Sequence, residues 1–191
     1  MSKLVVVENL SLDGVMQAPA RPDEDPRGGF EYGGWAIPYN DEVMAREMGK
    51  RMTQPGALLL GRLTYENLYS VWPHRTDNPY TEVLNRTQKY VASRRLKEPL
   101  PWMNSNLLTG DIVQAVSRLK AEMNLGVIGS GDLVQTLISH RLVDEYVLLL
   151  FPLVLGTGRR LFADGTMTSL QLVDSVTTTK GVIIATYRAA A

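Results

Sequence analysis

Apolar positions in this chain recur at two spacings, every second residue or every third to fourth, and the two patterns take turns along its length. Residues 3–8 (KLVVVE) are a β-rich apolar run closed by a turn at Asp13-Gly14, which predicts an opening strand. Residues 17–34 lose periodicity and gather proline, glycine and acids. A long surface loop is expected there, of the kind that often borders a ligand site in a small enzyme. Asn40 or Asp41 then caps a helix in which Val43, Met44, Met48 and Met52 recur at helical spacing and Glu42 occupies the first turn.

Pro55-Gly56 closes that helix ahead of residues 57–60, a wholly apolar run suited to a buried strand that ends at Gly61. Thr64 is the expected cap of a helix beginning near Tyr65. Residues 88–93 give a further strand before Arg94 and Arg95, and Asp111 starts a helix with Ile112, Ala115, Val116 and Leu119 on one side. Residues 125–128 form a short strand entering Gly129-Ser130-Gly131, and Leu133, Val134, Leu137 and Ile138 describe the helix after it. Residues 143–151 are another strand, and residues 170–176 and 182–187, divided by Lys180-Gly181, form a final antiparallel pair. This order predicts an α/β fold, a mostly parallel sheet covered by helices with antiparallel strands near the C-terminus.

A length of 191 residues suits one domain over 1–191 with a sizeable core. Twenty basic residues balance twenty acidic ones. Wholesale capture of nucleic acid or of an anionic membrane is therefore not expected, although a local basic pocket for one phosphate is compatible with the balance. The absence of cysteine excludes disulfides, thiolate metal sites and cysteine nucleophiles. Residues 4–7 are too short a run for a signal-peptide core or a membrane span, and the chain reads as cytoplasmic. His74 and His140 stand alone, outside any metal-binding spacing, and no serine lies in a nucleophile elbow. No metal is expected, and His140 reads as a helix-end cap.

Candidate chemistry collects at the glycine-marked turns. In residues 58–66 (LLLGRLTYE) a strand ends at Gly61, and the following helix start, Leu63 and Thr64, offers N–H groups to an anion, with Arg62 as a charged partner. Residues 127–133 (VIGSGDL) repeat the arrangement with Gly129, Ser130, Gly131, Asp132 and Leu133, although the full glycine spacing of a dinucleotide-binding turn is absent. Each turn also reads as an ordinary strand-to-helix cap. In a parallel sheet, Ser93 and Arg94 would leave their strand at the same rim. Trp35 either covers an aromatic ligand or anchors the long loop, and Asp13 is either a turn residue or a neighbour of the reacting group. Glu42 and Glu47 are candidate proton donors or solvated helix carboxylates. Arg159 is a candidate reader of a phosphate or carboxylate, and Met48 joins Trp35 and Arg159 as a candidate substrate contact.

Taken together, SLDG at residues 11–14, GRLTYE at 61–66, VASR at 91–94, IGSG at 128–131 and PLVLGTG at 152–158 resemble the dihydrofolate-reductase-like family. The resemblance is nearest to the branch related to the reductase domain of bacterial riboflavin biosynthesis, and it extends over nearly the whole chain. It implies a three-layer α/β/α fold with a mixed, mostly parallel eight-stranded sheet, and an NADPH site at the C-terminal rim. It further implies that residues 61–64 and 129–131 are the two pyrophosphate-contacting turns and that Arg62, Ser93 and Arg94 receive the 2′-phosphate. Asp13 lies in the family's segment beside nicotinamide and substrate, and a homodimer is expected. Two departures stand out. The register of the early-helix carboxylate of folate reductases falls near Ala45, and Val134 replaces the aromatic residue after the second turn.

The expected activity is hydride transfer from NADPH to a C=N or C=O bond of a small pterin-like or pyrimidine heterocycle, the proton coming from water, Asp13, Glu42 or Glu47. The alternatives are reduction of a phosphorylated ribosylamino-pyrimidine, and a non-catalytic nucleotide-binding protein that keeps the fold.

Overall fold

The computed structural model describes residues 2–190; Met1 and Ala191, the ends of the expected domain, lie outside the described residues. Strand β1 (Leu4–Ser11) opens the chain. The long loop follows, then α1 (Glu42–Met52), β2 (Ala57–Gly61), α2 (Arg62–Tyr69), α3 (Tyr80–Arg86), β3 (Lys89–Ala92) and β4 (Ser105–Leu108). The second half runs through α4 (Ile112–Glu122), β5 (Leu125–Ile128), α5 (Gly131–Ser139), β6 (Glu145–Phe151), β7 (Leu170–Thr177) and β8 (Ile183–Ala189). The strands form one sheet in the order β4-β3-β2-β5-β1-β6-β8-β7. Strands β4 to β6 in that order are mutually parallel, and β8 runs antiparallel to both β6 and β7. This is the mixed, mostly parallel sheet the sequence predicts.

The period-two pattern of β1 sorts its side chains to two faces. Leu4, Val6 and Leu10 pack with Val116 of α4 and with Leu133, Val134 and Leu137 of α5. Val5 and Val7 turn the other way, toward Met44 of α1, Trp35 and Phe151. Helices on both faces explain why the central strands read as nearly continuous apolar runs.

Asp41 caps α1, its carboxylate accepting from the Met44 N–H at 2.8 Å, and Asp111 caps α4 through Val113 and Gln114. The expected cap at Thr64 is corrected. Helix α2 begins at Arg62 on the backbone of Gly61, so Thr64 lies inside the first turn and its hydroxyl bonds elsewhere. The pattern also gave no sign of α3 or β4. Helix α3 has seven residues, too few for a periodic stripe, and β4 pairs only with β3, so its four residues, SNLL, show no alternation.

Candidate functional site

Because the strands from β4 to β6 are parallel, their C-terminal ends share one rim, where ligands of open α/β sheets bind. Leu59 of β2 pairs with Val127 of β5, so the turns that leave these strands emerge side by side. Two side-chain bonds lock them together. The Gly61 N–H donates to Ser130 Oγ at 2.9 Å, and the Ser130 N–H donates to Thr64 Oγ1 at 2.9 Å. Ser130 holds a left-handed conformation, φ 66° and ψ 42°, which turns the chain directly from β5 into α5.

Glycine is required at Gly129 by conformation and by space. Its φ is +56°, and a Cβ there would lie 3.1 Å from Thr64 Oγ1. No side chain caps α2 or α5, so the first-turn N–H groups of Arg62, Leu63 and Thr64, and of Gly131, Asp132 and Leu133, lack partners within their helices. Each helix start carries about half a positive charge, and here two of them face one volume.

That volume is a cleft of about 600 Å³ along the rim. Its lining takes in Ala92 and Leu108 at the ends of β3 and β4, both glycine turns, Glu8 and Asn9 of β1, and the inner edge of the long loop from Met16 to Ala20. Four inter-strand steps of about 4.8 Å separate β4 from β1, so the cleft crosses roughly 19 Å of sheet. The basic residues differ in commitment. Arg62 is paired with Glu66 at 2.7 Å, one helical turn on, whereas Arg94 and Arg95 are exposed. Ser93 Oγ accepts from the N–H groups of Arg95 and Leu96, at 3.0 Å each, which fixes the turn that carries both arginines.

At the β1 end of the cleft the charges are mixed. Arg159 is bonded to Asp132, Arg27 is paired with Asp25 at 2.6 Å, and Arg27 also stands 3.9 Å from Asp132. Gln17, buried, ties the loop down by donating to the carbonyls of Asp25 and Arg27 and accepting from the Arg159 N–H.

Gly61, Arg62, Leu63, Thr64, Ser93, Arg94, Gly129, Ser130, Gly131, Asp132 and Leu133 all line this cleft, and Arg159 does too. Asp13, Trp35, Glu42, Glu47 and Met48 are not in its lining. Asp13 accepts from Ser11 Oγ at 2.6 Å and from the N–H groups of Leu155 and Gly156 at 3.1 and 2.8 Å; these bonds hold its pKa down to about 2. It is thus an ionised clasp between the end of β1 and the loop after β6. Glu42 is exposed, and Glu47 is ionised against Lys50 and Arg46, the Lys50 hydrogen bond being the chief cause of its lowered pKa. Trp35 is buried edge-on to Phe151, its Nε1 donating to the Gln17 carbonyl at 2.7 Å, so it anchors the loop. Met48 packs into the same cluster.

Sequence reasoning missed Glu8. Glu8 is 3% exposed, its Oε1 has no hydrogen-bond partner among the described residues, and it is one of the residues of the cleft wall. Burial first, then the charge of Glu24, pushes its pKa well above the ordinary carboxylate value. The available signal was register, because Leu4, Val6, Glu8 and Leu10 share one strand face and Glu8 alone among them is polar.

The model of the RibD C-terminal domain family matches residues 2–184. The uncharacterized protein YyaP of Bacillus subtilis (strain 168) is 29% identical over 158 residues, covering 76% of this chain and 81% of that protein. Among solved structures, a putative riboflavin biosynthesis protein from Shewanella sp. PV-4 superposes with a TM-score of 0.70 at 23% identity, covering 99% of each chain. Dihydrofolate reductase from Enterococcus faecalis, complexed with NADP(H), gives 0.59 at 14% identity over 99% of this chain and 97% of its own.

Proposed function

This chain belongs to the RibD C-terminal domain family, and from that membership we propose that it is a reductase transferring hydride from NADPH to a C=N or C=O bond of a small, pterin-like or pyrimidine heterocycle. The observation that carries the reading is the locked pair of helix starts at Gly61–Thr64 and Ser130–Leu133. Two uncapped helix N-termini meeting in one cleft suit the two phosphates of a dinucleotide. The missing side chains fit that use as well, since a Cβ on Gly61 would come within 3.3 Å of Ser130 and narrow the space between the turns. When bound, NADPH supplies the hydride.

The residues of the chain bind and orient. Backbone donors of α2 and α5 hold the pyrophosphate, and Ser93, Arg94 and Arg62 meet the 2′-phosphate, Arg94 with the larger share because Glu66 already engages Arg62. The loop of Met16 to Ala20 covers the β1 end and keeps bulk water from the reacting bond. Reduction of a phosphorylated ribosylamino-pyrimidine asks for an uncommitted cation at that end, and both Arg27 and Arg159 are engaged by Asp25 and Asp132. The unphosphorylated heterocycle is therefore the preferred substrate class.

The reading treats residues 1–191 as one cytoplasmic domain that binds no nucleic acid; no helix among the described residues is long and apolar enough to cross a membrane. It includes a homodimer formed at the β7–β8 margin, where Leu172, Val173 and Ile183 are exposed. The direct test is titration with NADPH followed by protein fluorescence, and then NADPH oxidation across a panel of oxidised and dihydro pterins and pyrimidines. Saturable binding with turnover on at least one of them is expected. Binding without turnover over a broad panel would favour a non-catalytic nucleotide-binding protein, and no binding would end the proposal.

A further inference from the structure

We infer that Glu8 works as a neutral carboxylic acid that binds an amide-type edge, a carbonyl or ring-nitrogen acceptor beside an N–H donor, of a ligand seated at the β1 end of the cleft. The inference rests on the nucleotide-binding reading, because it assigns a role in the same cleft.

Three observations converge on it. Glu8 is almost wholly enclosed, yet it is one of the residues of the cleft wall. Its Oε1 has no partner among the described residues, an arrangement that costs stability and is relieved when a ligand supplies the missing bond. Its register puts it on the face of β1 that packs against α5, the helix whose N-terminus forms the second phosphate turn, and β5 and β1 are adjacent strands. A group bound beside Glu8 is therefore one strand beyond the phosphate cradle, where the reactive end of a dinucleotide and its acceptor would meet.

The charge state follows from the surroundings. Among the described residues no cation is paired with Glu8, and the charged group acting on it most strongly is the carboxylate of Glu24; Asp25, Arg27, Asp132 and Arg159 complete the charged lining at this end, with each arginine engaged by one of those two aspartates. A carboxyl so placed favours its protonated form, burial first and the Glu24 carboxylate second raising its pKa well above the ordinary value. It then offers one O–H donor and one carbonyl acceptor side by side, the complement of a primary carboxamide or of the amidine and lactam edges of pterins and pyrimidines. An ionised carboxylate would only accept, and would repel the ligand's own acceptor atom.

Both the carboxamide of a reduced nicotinamide and the edge of the acceptor heterocycle have this chemistry, and the two are separable by experiment. The full-length protein and its Glu8→Gln and Glu8→Leu variants are titrated with three ligands: NADPH, 2′-phosphoadenosine-5′-diphosphoribose, which keeps the phosphates but lacks the nicotinamide, and pterin. Glutamine preserves the donor and acceptor without titrating, whereas leucine removes both. If the nicotinamide is the source, Glu8→Leu binds NADPH about tenfold more weakly, for the loss of two hydrogen bonds, and binds the truncated nucleotide unchanged. If the heterocycle is the source, pterin alone loses affinity. In either case the affected affinity of the wild-type protein falls as pH rises through the Glu8 titration, and that of Glu8→Gln does not. An infrared difference spectrum between wild type and Glu8→Gln at neutral pH adds a readout independent of activity. It should contain the C=O stretch of a protonated carboxyl, shifted by the bound ligand.

Glu8→Leu binding NADPH and pterin as tightly as wild type, with the truncated nucleotide also bound, would overturn the role of Glu8 and leave the nucleotide reading standing. A carboxylate signal in place of the acid band would overturn it equally. Failure of wild type to bind NADPH and the truncated nucleotide would instead refute the nucleotide reading, and pterin affinity would then decide Glu8 alone.

Discussion

Individual hydrogen bonds set the shape of this site, so single side chains should have measurable weight. Ser130→Ala leaves the Gly61 N–H without its acceptor, and Thr64→Val does the same to the Ser130 N–H. Each should cost about 1–3 kcal/mol in urea unfolding. The double variant should lose less than the sum, because both bonds hold the same pair of turns. NADPH affinity should drop in parallel. Losses that add in full would show that the two bonds act independently. Two carboxyls should respond to pH with opposite sign. The folded pKa of Asp13 is depressed to about 2 from 3.8, so its contribution is complete above the unfolded value and disappears as pH falls through about 2. The pKa of Glu8 is raised, so the native state keeps a proton that the unfolded chain gives up above 4.5. Stability should therefore decline as pH rises from there toward the folded pKa, by up to about 1.4 kcal/mol per pH unit for this group. Glu8→Gln should remove that slope in a series of urea midpoints, and a slope unchanged by the substitution would contradict the burial argument.

At the scale of elements, the proposed function divides recognition between helix starts and the turn after β3. On that reading the helix starts would act through backbone, so no side-chain substitution deletes them, whereas the turn would act through Ser93, Arg94 and Arg95. Arg94→Ala should weaken NADPH binding by roughly 10- to 100-fold, the worth of a charged hydrogen bond, and leave NADH binding nearly unchanged. Arg62→Ala should do less, because its guanidinium is paired with Glu66. Equal losses for the two cofactors would remove the 2′-phosphate from this turn. The elements themselves were legible where burial imposes periodicity. Strands β1, β2, β5 and β6 stood out as apolar runs, and the caps at Asp41 and Asp111 located two helix starts. Helix α3 and strand β4 were illegible because they are short and peripheral. The start of α2 was misplaced because a glycine backbone, without a capping side chain, begins it.

For the molecule as a whole, the sheet order is what gathers the site, and its β7–β8 margin is the expected dimer contact. Sedimentation should report a dimer that Leu172→Lys shifts toward monomer, and a wild-type monomer at every concentration would contradict the assignment. Local sequence suffices for the alternation of strands and helices, the glycine turns, and the stretches from Gly61 to Thr64 and from Gly129 to Leu133 that line the cleft. These follow from local propensity and from backbone conformations that only particular residues tolerate. Tertiary structure alone decided that β2 and β5 are neighbours, so that two turns separated by 69 residues exchange hydrogen bonds. It also decided which carboxyls reach the cleft. Asp13, Glu42 and Glu47 look reactive in sequence but are engaged or exposed outside the cleft, while Glu8 looks like the polar end of a strand and is enclosed within its wall. Burial and partners set the proton affinity of a carboxyl, and both arise from contacts between segments far apart in the chain.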